Sequence, residues 1–197
     1  MKNNYFLLFL FLLCSACGDD TVYTPKPRAF PKINYPEKTY QTFAEDYCHF
    51  TFQYPGYAKV EQEQSFFEEE TSDPCWFDLI MPIFDARLHC SYYPISQTNS
   101  FEKLRDDAFL LANKHIIKAN AIDERMVQNA NGVSGFVFQF DGPTATPFSF
   151  YLTDSTEHYI RGSLYFNSKP RPDSLAPIIN FVKADLAKMI ETFKWSN

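Results

Sequence analysis

Residues 124–167 read ERMVQNANGVSGFVFQFDGPTATPFSFYLTDSTEHYIRGSLYFN, and two turn signals cut this stretch into short runs of β-branched and aromatic residues. Asn131-Gly132 suits the positive φ values of a tight hairpin turn. Asp154-Ser155-Thr156-Glu157 carries side chains that bond their own backbone. The runs at 124–128 and 133–140 therefore predict one hairpin, and those at 148–153 and 159–167 a second. Phe136, Phe138 and Phe140 alternate with other residues and so share one face of the sheet.

The same grammar extends upstream. Residues 48–54 alternate, with Phe50, Phe52 and Tyr54 on one side, and Pro55-Gly56 ends the run. Residues 57–62 continue it beyond a bend. Residues 63–74 are acidic and predict a loop, and 76–81 with 87–93 form a hairpin about a turn at 82–85. Ser100 caps a helix whose stripe is Phe101, Leu104, Ala108, Leu111 and His115, ending near Ile117. The chain closes on a second helix. Its wide stripe comprises Leu175, Ile178, Ile179, Val182, Leu186, Met189, Ile190 and Phe193, with Asp173 or Ser174 as cap and Pro177 in the first turn. Strands, helix, strands, helix give an α+β fold, a mostly antiparallel sheet with two amphipathic helices packed on it. Phe50-x-Phe52-x-Tyr54-Pro55 and the closing Phe193 make the order resemble the PsbP/Mog1-like sandwich.

The N-terminus has a different character. Lys2 precedes a nine-residue apolar run at 5–13, too short to span a bilayer, for which about 20 residues are needed. It has the length of a signal-peptide core. Cys14-Ser15-Ala16-Cys17 then matches a lipobox cut before Cys17, except that Cys14 stands where leucine is usual. Residues 1–16 are read as a lipoprotein signal peptide and Cys17 as the acylated residue, its chains entering the bilayer. Gly18 rather than aspartate follows the cysteine, which favours the outer membrane. Asp19 and Asp20 weakly match a surface-export signal, so the membrane face stays open. Residues 17–40 form a tether, extended by Pro25, Pro27, Pro31 and Pro36. Residues 41–197 form a single domain.

A formal charge of −6 argues against a nucleic-acid binder, which needs a basic stripe. Of five cysteines, Cys48, Cys75 and Cys90 remain after cleavage and acylation, in a compartment that permits disulfides. Cys90 alternates with Leu88 and Tyr92 and reads as a buried thiol. Cys48 and Cys75 sit at strand margins, where bridging is easier, but the pairing stays open at this level.

Little in the sequence looks catalytic. His49, His89, His115 and His158 are scattered, and no metal or cofactor is expected. Gly132-Val133-Ser134-Gly135 lacks the spacing of a nucleophile elbow. Thr153, Asp154, Ser155, His158 and Arg161 form the densest polar cluster. It reads first as turn chemistry, second as an interaction surface, and last as a hydrolase site built on Ser155 and His158. Arg161, inside a strand, calls for a partner, either a carboxylate on a neighbouring strand, which is the first reading, or a bound anion.

Several segments resemble the GldD family of gliding-motility lipoproteins: PKPR at 25–28, PEKTYQ at 36–41, FQYPGYA at 52–58, CWF at 75–77, KHIIKANAI at 114–122, FYLTDSTEHYIRGSLYF at 150–166, DSLAPII at 173–179 and IETFKW at 190–195. The resemblance implies a membrane-anchored, non-enzymatic part of the gliding and type IX secretion machinery, with neighbouring machinery proteins as partners. Cys90 stands where the resemblance leads one to expect serine, which favours a Cys48–Cys75 bridge. Three Asp-Ser/Thr triplets match the O-glycosylation pattern of exported Bacteroidetes proteins, at Thr21, Ser155 and Ser174. The alternative function is a ligand-binding lipoprotein holding a glycan or lipid between sheet and helix.

Overall fold

The computed structural model describes residues 32–62, 65–66, 69–70, 73–168 and 172–196. The expected signal peptide, Cys17 and Thr21 lie outside them. In chain order the strands are β1 (Tyr40–Phe43), β2 (Phe50–Pro55), β3 (Lys59–Gln62), β4 (Ser65–Phe66), β5 (Glu69–Glu70), β6 (Phe77–Met81) and β7 (Ala86–Pro94). Then come β8 (Ala121–Gln128), β9 (Ser134–Asp141), β10 (Phe148–Thr153), β11 (His158–Phe166) and β12 (Lys194–Trp195). The helices are α1 (Phe101–Asn113), extended by a 3-10 turn at Lys114–Ile117, and α2 (Pro172–Thr192).

The two hairpins read from residues 124–167 form the centre and one edge of the main sheet. Among the described residues it has seven strands, ordered β3-β6-β7-β11-β10-β9-β8, with every pairing antiparallel. Its two faces bury different residues because side chains alternate along each strand. Leu79, Leu88, Cys90, Val137, Phe150, Leu152, Ile160 and Leu164 face one layer, built from α2 and from a small sheet ordered β1-β2-β12. Phe138, Phe140, Tyr151 and Tyr159 face the other, covered by Leu104, Ala108 and Ala112 of α1. The α+β architecture expected from sequence is the one observed.

Two close approaches explain two glycines. Gly162 lies opposite Phe150 on the neighbouring strand, and a Cβ there would strike the Phe150 ring. Gly132 has φ +78° in the β8–β9 turn, where an L side chain is strained. That turn also caps α2. Asn129 Nδ2 donates to the carbonyls of Ile190 (2.9 Å) and Phe193 (2.7 Å), and Asn131 Nδ2 donates to Phe193 (2.9 Å). Carbonyls left over at a helix end are thereby satisfied.

Several local expectations shift. α1 turns Ala112 rather than Leu111 inward; Leu111 is exposed. A spacing of 104, 108, 112 tracks a face that drifts from the expected 3-4 stripe, because 3.6 residues per turn do not divide a heptad. α2 begins at Pro172, so Pro177 lies inside the helix rather than in its first turn. Pro177 leaves one ladder bond unmade. Within the acidic stretch expected as a loop, β4 and β5 pair as a short hairpin. Residues 33–39 carry no regular structure but pack on α2: the Tyr35 ring lies 4.6 Å from that of Phe181.

The same segment supplies partners for Asp185, a carboxylate in α2 that is 1% exposed. It accepts from Lys38 Nζ (2.8 Å), Tyr40 OH (2.8 Å) and Tyr57 OH (2.7 Å). Burying an unpaired carboxylate would cost several kcal/mol, and these donors offset that cost. Asp185→Ala is expected to lower urea-unfolding stability by about 2–3 kcal/mol, and Asp185→Asn by less because it keeps an acceptor. Burial, followed by the hydrogen bond and charge of Asp185, raises Tyr40 from 10.0 to about 12 and raises Tyr57 well beyond the usual range. A raised phenol stabilises the fold fully below its unfolded value and ceases to do so as pH passes its folded one. Stability measured by urea titration should therefore show no loss from these groups up to pH 10 and should fall between about pH 10 and 12.

Candidate functional site

α2 crosses the sheet beside β8 and β9, and a groove runs between them. Two hollows of about 360 and 620 Å³ make it up, and they share Gln139 and Lys183. The first is walled by Phe166, Leu175 and Ile179; the second by Val127, Val137, Phe148 and Ile190. Both walls follow from period: alternate residues of β8 and β9 point toward α2, and the apolar stripe of α2 answers them.

Lys183 sits on the flank of that stripe, where the helix meets the groove. Its Nζ donates to Gln139 Oε1 at 3.0 Å, and among the described residues it makes no salt bridge. Burial pulls its pKa below the ordinary lysine value, while Asp141 and Asp123 pull it back up. A half-buried cation flanked by aromatics can hold a carboxylate or phosphate oxygen, and Asp123 and Asp141 can accept hydroxyls. The sequence signal was a lysine beside an apolar stripe, which is ordinarily a solvated flank. Only the opposing position of Gln139 changes its meaning.

The polar cluster of the β10–β11 turn is arranged otherwise. Asp154 Oδ1 accepts from the backbone N–H groups of Thr156, Glu157 and His158, each at 2.9 Å. Those bonds help lower its pKa against the effect of burial. Thr153 is buried and donates to the His158 carbonyl at 2.7 Å. Ser155 is exposed with φ +68°. His158 turns away from it: the Tyr92 hydroxyl bonds His158 Nδ1 at 2.7 Å, and the imidazole stacks on Trp195 and His49 at 5.0 and 5.5 Å. Ser155 and His158 share no hydrogen bond among the described residues. Arg161 finds Tyr93 instead of the expected carboxylate, donating to its hydroxyl at 2.9 Å with the guanidinium 5.2 Å from the ring centre. The residues opposite Arg161, Tyr151 on β10 and Ser91 on β7, are uncharged, so stacking on Tyr93 replaces an ion pair.

One network escaped sequence reasoning. His89 Nδ1 donates to Asp78 at 2.8 Å, and Ser91 Oγ lies 3.4 Å from His89 Nε2. The order is that of a catalytic triad, but the setting is structural. Ser91 is 1% exposed, and Asp78 also accepts from Arg87 at 3.2 Å. Ser91 lies in the β7–β11 ladder opposite Arg161, just beyond the last β6 pairing at Cys90.

The remaining candidates are dispersed. Cys48 and Cys75 are joined by a disulfide with Cα atoms 5.3 Å apart, and Cys90 is a buried free thiol. Ser174 is exposed in the first turn of α2. Among the described residues no three His, Cys, Asp or Glu side chains converge as metal ligands, and no helix is long and apolar enough to cross a membrane.

An antiparallel sheet covered on both faces, with a groove beside α2, defines an α+β domain. The model of the gliding motility lipoprotein GldD family matches residues 20–195, and the chain belongs to that family. Membership makes it a membrane-anchored gliding-motility lipoprotein. Among solved structures it is similar to the cyanobacterial PsbP of Synechocystis sp. PCC 6803, at 9% identity and a TM-score of 0.48, over 87% of this chain and 99% of that one. No curated protein was found to match it.

Lys183→Met is expected to leave thermal stability unchanged or raise it by up to about 1 kcal/mol, because methionine removes a desolvated charge and keeps the packing. A large loss of stability on thermal melting would mean that the lysine is a structural tie rather than an open cation in the groove.

Proposed function

We propose that the chain is a non-enzymatic component required for gliding motility, held by acyl chains on Cys17 at the outer membrane and acting in or with the gliding and type IX secretion machinery. The family match along nearly the whole mature chain carries this reading. The engagement of its most reactive-looking side chains supports it. His158 is occupied by Tyr92 and Trp195, Asp154 by its own turn, and Ser91 by its place in the β7–β11 ladder. Exposed surface is then left for contacts with partners rather than for chemistry.

Deleting the gene is expected to abolish colony spreading. Wild type restores it, Cys17→Ala does not, and crosslinking to the anchored form captures machinery proteins. A deletion strain that spreads and secretes normally would sink the proposal.

The groove favours a second reading, in which the domain holds a glycan or lipid beside α2. It rests on Lys183, half-buried between two hollows and, among the described residues, bonded to a neutral amide rather than a carboxylate. Complementation by Lys183→Met separates the two. Full spreading fits the first reading, and lost spreading with a normally folded, normally anchored protein fits the second.

A further inference from the structure

α1 ends in a single 3-10 turn at Lys114–Ile117, none of whose residues is buried. Ile117 is 88% exposed and Ile116 59%. Leu110, seven residues before Ile117 and so on the same side of the helix, is 57% exposed. Lone exposed apolar residues are ordinary, but three at one tip make a patch that calls for a partner. Nothing about the turn is loose. The His115 ring packs on Phe140 with centres 4.7 Å apart, and the His115 carbonyl accepts from both Lys118 and Ala119. The fold thus holds two adjacent isoleucines outward at a fixed place.

Charge decides between occupants. Lys114 and Lys118 flank the isoleucines and are both exposed. Lysine is depleted at the centres of protein–protein interfaces. Beside an apolar tip that enters a bilayer it is favoured, because the stem lies along the acyl region while the ammonium reaches phosphate. The acids of α1, Glu102, Asp106 and Asp107, lie in its first two turns, roughly 15 Å of helix axis from Ile117. Glu124 is nearer, in a shallow hollow beside Ile116. Membership of a lipoprotein family also puts a bilayer within reach of the domain.

We infer that the Lys114–Ile117 turn is a second membrane contact, with Ile116 and Ile117 entering the acyl boundary and Lys114 and Lys118 meeting anionic phospholipid headgroups. It orients the domain on the surface to which the N-terminal anchor attaches it. The inference rests on the lipoprotein reading, but its test uses neither the acyl anchor nor the gliding machinery, so its failure would leave that reading standing.

The mature chain, made without its signal peptide and carrying Cys17→Ala, is floated with vesicles of phosphatidylcholine alone or doped with phosphatidylglycerol. Wild type should partition onto the doped vesicles, less so in high salt. Ile116→Ser with Ile117→Ser should weaken partitioning at least about tenfold, from the lost burial of two aliphatic side chains. Lys114→Glu with Lys118→Glu should remove the preference for phosphatidylglycerol. All four side chains are exposed, and circular dichroism checks that the variants fold. If wild type does not bind the vesicles, or the double serine variant binds as well as wild type, the inference falls.

Discussion

The stack of Phe52 on Phe193 is the contact on which the remaining layers depend. The rings lie 5.9 Å apart and nearly parallel, and Phe43, Phe50 and Phe77 pack around them. One partner lies in β2, early in the domain, and the other directly follows its last helix. Until they meet, β12 has no strand to pair with, and the layer of α2 and the small sheet cannot close over the main sheet. Apolar burial is the driving force, but joining segments so far apart in sequence carries a loop-closure cost that local hairpins avoid. The β6–β7, β8–β9 and β10–β11 hairpins can form locally, whereas the small sheet must wait for the whole chain.

This difference also sorts what sequence could reveal. The hairpins around Asn131-Gly132 and Asp154–Glu157, both helices and the inward face of Cys90 were legible, because their signals are periodic and local. The β1-β2-β12 sheet was not. Lys194-Trp195 is two residues long, and its partner strand lies across the full length of the domain. The turn at residues 82–85 could have put Asp78 opposite His89 by counting outward, so that pairing was within reach. The groove was harder. Lys183 has the look of any helix-flank lysine, and Gln139 of any outward strand residue, until the sheet and α2 are superposed.

The domain spends its reactive-looking groups on its own architecture. Asp185 secures the entering segment, Asp154 shapes a turn, Asn129 finishes a helix, and Asp78 ties β6 to β7 through His89 and Arg87. The features with no internal use are geometric: a groove with a cation at its waist, and an apolar tip between two lysines. They lie on different sides of the molecule's main sheet, since the groove is made with α2 and the tip with α1. Two surfaces on opposite faces suit a part that joins one thing to another.

Asp185 has a mechanical meaning as well as a thermodynamic one. Any pull on the N-terminal segment would enter the described unit at Ile33. The first fixed points it meets are the Tyr35–Phe181 ring pair and the Lys38–Asp185 bond, both on α2 rather than on the edge strand β1 that follows. Tension is therefore shared with the longest helix before it can peel β1 from β2. The segment 33–40 acts as a strain relief, like the clamp on a cable where it enters a housing, and the sheet behind it carries less of the load.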